Sequence, residues 1–143
     1  MNPTNAKKNI RGAIAQKVST QRTLQGVEPI TYTIDASGRT LGRVASDAAQ
    51  ALLGKKSAQY VKNFVLPVTV NIVNAGKLKI SEKREATTTY IRYTGYPGGL
   101  RTRTMTELKD KKGLEEVVRM TVDGMIPRNK LRKERMKRLS ITL

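Results

Sequence analysis

Between Ile30 and Gly54 the apolar residues change period, and that change limits the folds open to this chain. Ile30, Tyr32 and Ile34 alternate with Thr31, Thr33 and Asp35, the two-residue period of a strand with one buried face. Beyond the turn residues Ala36, Ser37 and Gly38, the residues Leu41, Val44, Ala45, Ala48 and Leu52 stand three or four apart. They form a helical stripe ending at Gly54, a suitable C′ residue. A strand, a short turn and a helix open an α/β unit. The run Val68 to Val73 is apolar enough for a buried second strand, and Pro67, which cannot donate inside a ladder, marks its start. Asn74, Ala75 and Gly76 turn the chain. Leu78 and Ile80 alternate with Lys77 and Lys79 and predict a short half-exposed strand, followed by a charged turn over Ser81 to Glu85. Thr104 and Glu107 fit a capping box on a short helix that stops near Gly113. Leu114, Val117, Val118 and Val122 form the next helix, with Glu115 and Glu116 in its favourable first turn and Gly124 as its end.

Charge decides the class of partner. The 143 residues, enough for one modest domain, carry 28 Lys and Arg against 11 Asp and Glu, a net charge of +17. Self-repulsion on that scale is relieved by a polyanion, so the expected partner is nucleic acid. No apolar run approaches 18 residues, which argues against a membrane partner. The absence of Cys and His excludes thiolate and histidine mechanisms and the usual zinc ligands. Asp35, Asp47 and Glu82 form no recognisable catalytic pair, and the Gly95–Gly99 loop lacks the Walker spacing and its Lys-Ser/Thr ending. The sequence therefore gives no catalytic residue, metal site, cofactor or small-molecule substrate. Residues 1–29 read as a basic extension, Lys7, Lys8, Arg11, Lys17 and Arg22 facing only Glu28, that orders on RNA. A transit peptide or a packed helix would share that composition. Residues 30–143 read as a single α/β domain.

The densest chemistry lies in Tyr90 to Arg103. An alternating strand breaks at Gly95, Pro97, Gly98 and Gly99, where positive φ is cheap and backbone N–H groups can approach a partner. Tyr90, Tyr93 and Tyr96 offer ring faces and Arg92, Arg101 and Arg103 offer guanidinium forks, a combination suited to phosphates and unstacked bases. A hairpin with a half-buried Tyr face and solvated arginines is the plainer reading. Arg39 and Arg43 flank Gly42 near a helix start, a place for a phosphate or simply for solvated arginines. Lys55, Lys56 and Lys62 surround Tyr60 in a loop. From Arg128 to Arg138 come seven cations in eleven residues, opposed by Glu134 alone. Leu131, Met136 and Leu139 give this segment a narrow apolar side, so it reads as a helix docked along one edge with its charge outward.

Several stretches together resemble the L-thirteen family of large-subunit ribosomal proteins in its bacterial form. They are Ile34-Asp35-Ala36 with Gly38 to Ser46, Leu53-Gly54-Lys55-Lys56, and Val73-Asn74-Ala75 with Lys77 and Lys79. Tyr90, Arg92, Thr94 to Leu100, and Val122 with Gly124 to Leu131 complete the set. The pairing of Gly-Tyr-Pro-Gly-Gly-Leu with a later Gly-Met-Ile-Pro is specific. The resemblance covers roughly residues 30 to 143. It implies a three-layer α/β/α fold with a mainly parallel four-stranded sheet, plus a basic N-terminal arm and a basic C-terminal tail. It also implies binding to large-subunit rRNA early in assembly, neighbouring large-subunit proteins as partners, a place in a cytoplasmic or organellar ribosome, and no catalysis. The chain departs from the family at Lys62, Asn63 and Pro67-Val68, where a Pro-His pair and a Gly-Asp step are common, and at Arg132, where many members have Gly.

The residues then divide into three grips on RNA. Arg39, Arg43, Lys55 and Lys56 hold backbone near the first helix. Arg92, Tyr93, Gly95, Tyr96, Gly98, Gly99, Arg101 and Arg103 fit a particular RNA shape. Arg128, Asn129, Lys130, Arg132, Lys133, Arg135, Lys137 and Arg138 hold a second segment. A stand-alone RNA chaperone or a nucleic-acid-compacting protein would share this chemistry.

Overall fold

The computed structural model describes residues 28–143; the expectation for the basic extension falls almost wholly on residues outside that range. Strand β1 (Ile30–Asp35) leads through a turn to helix α1 (Leu41–Leu52), and β2 (Val68–Val73) follows a long loop. A one-turn 3-10 segment (Ala75–Lys77) and helix α2 (Glu82–Thr87) precede a hairpin of β3 (Thr89–Tyr93) and β4 (Leu100–Thr104). Helices α3 (Met105–Lys112), α4 (Leu114–Met125) and α5 (Leu131–Met136) and a last strand, β5 (Leu139–Ile141), complete the chain.

The alternating and β-branched segments pair as their patterns require. β1 and β2 run parallel, in register from Ile30 opposite Val68 to Asp35 opposite Val73. β5 adds to the other side of β2, also parallel, with Leu139 opposite Val70. Ile34, Val68, Val70, Ile72 and Leu139 are buried on the face that receives α1. α1 buries Leu41, Val44, Ala45, Ala48, Ala49, Ala51 and Leu52, because it packs against the sheet on one side and α4 on the other. Its alanines let the backbones approach, and Val117, Val118 and Val122 of α4 close the core. Each fully buried aliphatic side chain contributes about 1.5–3 kcal/mol. Gly54, at φ +79°, ends α1 in the left-handed region, where a Cβ would lie 2.5 Å from Leu66 Cδ1.

Several expectations are corrected. Among the described residues the parallel sheet has three strands, not four, and helices cover one of its faces only. The opposite face presents Thr31, Thr33, Thr69 and Ser140 to solvent. The Tyr90 segment, read as an alternating strand that breaks at Gly95, is a strand and pairs with β4 in a separate antiparallel hairpin, as the plainer reading had it. The expected strand at Leu78 and Ile80 reduces to a single bridge between Thr40 and Lys79, while the expected charged turn becomes α2 from Glu82. The basic tail is no single docked helix: α5 stops at Met136, and the apolar Leu139 and Ile141 serve a strand. The α4 helix also runs one residue past Gly124.

The turn after β1 is tied to the turn after β2 by one carboxylate. Asp35 Oδ1 accepts from Ser37 N at 3.0 Å, Ser37 Oγ at 2.8 Å and Asn74 Nδ2 at 3.1 Å. The Ser37 N–H first, then the Asn74 amide and the Ser37 hydroxyl, lower its pKa from 3.8 to about 2. A folded-state pKa below the unfolded one means stability that is present above pH 3.8 and lost as pH falls toward 2. In acid unfolding experiments the stability gap between wild type and Asp35→Asn should therefore narrow as pH is lowered across that window. A gap independent of pH would show that the Asp35 charge does not hold the turns.

Candidate nucleic-acid interface

The hairpin separates its chemistry by strand parity. Arg92 stands directly opposite Arg101, and Tyr90 opposite Arg103, so three guanidiniums and a tyrosine share one face. On the other face lie Ile91, Tyr93 and Leu100, 68%, 61% and 62% exposed. Like charges directly opposed across a ladder destabilise it, and residues 89–104 contain no acid. None of the three arginines makes an ion pair with the described residues.

The turn holds its shape through backbone bonds. Gly99 N donates to Tyr96 O at 2.9 Å and Thr94 N to Gly99 O at 3.2 Å, and Gly95 and Gly98 take φ of +91° and +72°. A Cβ on Gly99 would lie 1.9 Å from Thr94 Oγ1 and 2.9 Å from Tyr96 O, so no side chain fits there. This compact turn lifts Tyr96, 74% exposed, to its tip. The hairpin is anchored at its base, where Met105 N donates to Thr88 O at 3.0 Å and Thr104 Oγ1 caps α3 by accepting from Glu107 N. Its arginine face looks onto α3 and α4 across a cavity of about 290 Å3 that Arg92, Arg101, Arg103, Lys112 and Met120 line.

A second, more open groove of about 470 Å3 lies between α4 and α5, lined by Arg119, Asn129, Arg132, Lys133 and Lys137 among others. Arg119 and Met120 are adjacent on α4, so the two grooves flank one helix. Arg128, Asn129, Lys130, Lys133 and Lys137 are exposed, as the outward-facing segment required. Arg132 is ion-paired with Asp123.

Two tail arginines are turned inward. Arg135 is 2% exposed and donates from Nη2 to Phe64 O at 3.2 Å; Arg138 donates to Leu66 O. Burial lowers the Arg135 pKa from its ordinary value, with Tyr60 opposing that shift. Arg135 thus leaves the set of outward grips. Arg135 stands four residues after the half-buried Leu131, one turn along α5, and that spacing is the only local signal for its burial. Both side chains hold the loop that carries Lys55, Lys56 and Lys62.

The first grip is divided. Arg39 pairs with Asp47 at 2.5 Å, and exposed Arg43 stays near the start of α1. Lys55 and Lys56 lie beyond the far end of this twelve-residue helix, roughly 18 Å away at 1.5 Å per residue, with Lys56 Nζ 5.5 Å from the Tyr32 ring centre. Arg84, which sequence reasoning missed, lies beside the first turn of α1: its Nη1 is 4.0 Å from where a Gly42 Cβ would be. Arg119, the single cation on α4, and Lys112, one of three lysines on α3, were missed as well, because the first helix was read for its apolar stripe and the second for its cap.

Residues 29–141 match the family model described as Ribosomal protein L13. The chain belongs to that family. Among similar proteins, the large ribosomal subunit protein uL13 of Rubrobacter xylanophilus is 38% identical over 115 residues, covering 80% of each chain. Its Geobacter sulfurreducens counterpart is 37% identical over 110 residues, 77% of this chain and 76% of the relative. That of Listeria welshimeri is 36% identical over 115 residues, 80% and 79% of the two chains. As a family member the chain is a structural ribosomal protein and not an enzyme. Among the described residues no helix is long and apolar enough to cross a membrane.

The inward arginine gives a direct test. Arg135→Ala removes a charged donor from the Phe64 carbonyl and should lower unfolding stability by about 1.5–3 kcal/mol, whereas Arg128→Ala, at an exposed position, should leave it nearly unchanged. Equal denaturant midpoints for the two variants would contradict the assigned burial.

Proposed function

We propose that this protein is an architectural clamp for large-subunit rRNA, gripping two RNA segments with one rigid body early in subunit assembly. The observation that carries the reading is the hairpin, where Arg92 faces Arg101 with no acid on either strand. Such an arrangement is stable when phosphates supply the missing countercharge, and release of condensed counterions then supplies most of the affinity. Tyr96 at the rigid turn is presented for stacking on an exposed base. The groove between α4 and α5, with Arg119, Lys133 and Lys137, takes the backbone of the second segment. Arg43, Lys55 and Lys56 extend the contact at the two ends of α1, while Arg39 and Arg132 keep partial contacts through the nitrogens their carboxylate partners leave free. Neighbouring large-subunit proteins complete the surroundings, in the ribosome of a cytoplasm or an organelle. The relatives' names, which place them in the large ribosomal subunit, support the choice of rRNA over other polyanions.

The purified chain should bind large-subunit rRNA at low ionic strength and co-sediment with large subunits; failure of both would overturn the proposal. At fixed salt, Tyr96→Ala should weaken rRNA binding by about 1–3 kcal/mol, the scale of one base–aromatic stack. Wild-type affinity in that variant would remove Tyr96 from the interface.

A further inference from the structure

The cavity beneath the hairpin has a composition unlike the rest of the basic surface. Its interior is apolar and aromatic, made by the buried Leu108, Met120 at 38% exposure, and the half-buried ring of Tyr90. Its rim is cationic, with Arg92, Arg101, Arg103 and Lys112, and no acid lines it. Lys112 alone of the four has an acidic partner among the described residues, Glu116 at 3.5 Å.

Those two zones select what can enter. A phosphate alone would stay at the rim, because burying its charge against Leu108 and Met120 without a partner is costly. A paired stem presents a convex, charged backbone and keeps its bases stacked. A single base turned out of its stack has an apolar face, polar edges and a phosphate on either side, and so meets both zones at once. The volume of about 290 Å3 sits at the lower bound of ligand pockets, roughly 300 Å3, which suits one ring system and not two stacked bases. Guanidinium forks around the mouth can reach base edges as well as phosphates.

We propose that this slot receives one unstacked nucleotide of the bound RNA, its base against Tyr90 and Met120 and its phosphates on the arginine rim. The proposal rests on the clamp reading and goes beyond it: the hairpin reads an extruded nucleotide, in addition to backbone charge, so the preferred RNA contains an unpaired position. Tyr96 and the slot are then separate stacking sites on the tip and inner face of one hairpin.

Filling the slot from its floor tests this without altering any cation. Met120→Trp, with Met120→Phe as a smaller filling, is compared with the full-length wild type on transcribed large-subunit rRNA. Circular dichroism and thermal unfolding verify that each variant folds. Base-edge chemical probing should show at least one unpaired nucleotide protected by the wild type and exposed again in the Trp variant. Affinity should fall about tenfold, within the range of one base–aromatic stack, while the salt slope stays unchanged. Wild-type binding with no protected unpaired base, or folded variants that keep both protection and affinity, would overturn the slot and leave the clamp standing. A wild type that ignores the rRNA would overturn both. A free nucleotide has the same ring and phosphate; equilibrium dialysis against AMP and GMP tighter than millimolar, with rRNA binding insensitive to Met120→Trp, would assign the slot to the monomer and overturn the proposal.

Discussion

Repulsion among like charges is the constraint that the rest of this structure answers. With 28 cations and 11 acids, most basic side chains have no partner within the chain. Four of the eleven acids fix a cation, Asp47 on Arg39, Asp123 on Arg132, Glu85 on Lys109 and Glu116 on Lys112. These exposed or half-exposed pairs add little stability each, but they set side-chain direction. Where carboxylates are absent, as on the hairpin, the cations remain available to an external polyanion.

Holding such a surface in shape requires a body that does not yield. The sheet, α1 and α4 form it, through a core built almost entirely from Val, Ile, Leu and Ala. α4 has a double role. Val117, Val118 and Val122 close the core, while Arg119 and Met120 on its outer side help line the two grooves. The distance between grooves is therefore set by a helix packed into the core, and that is the rigidity the proposed clamp on two RNA segments requires. Arg135 and Arg138 extend the same logic to the loop after α1: they satisfy carbonyls of Phe64 and Leu66, so the loop lysines are held by the tail.

Periodic, locally determined features were legible in the sequence. β1, α1 and β2 follow directly from apolar spacing, and the Thr104 cap and the Gly54 terminus from residue chemistry. Features set by distant partners were not. Leu78 and Ile80 alternate like a strand but find no neighbouring edge beyond one bridge to Thr40. Leu139 and Ile141 become a strand because β2 offers a free edge, which three residues of sequence do not announce. The chemistry of Tyr90 to Arg103 was readable as residue types, whereas the opposition of Arg92 and Arg101 depends on hairpin register. Arg135 shows the converse error: counted with its basic neighbours it reads as surface, although it is buried and bonded to the Phe64 carbonyl, a partner 71 residues away in the chain.

The central claim is that unpaired cations on a rigid α/β body clamp folded RNA through its phosphates. Its most direct measurement is the slope of log affinity for large-subunit rRNA against log salt, for the wild type and for a triple variant with Arg92, Arg101 and Arg103 each replaced by Gln. The account predicts a steep wild-type slope that becomes shallower by roughly two in the variant, at about 0.7–0.9 for each phosphate no longer neutralised. A shallow wild-type slope, or one that the three substitutions leave unchanged, would contradict it.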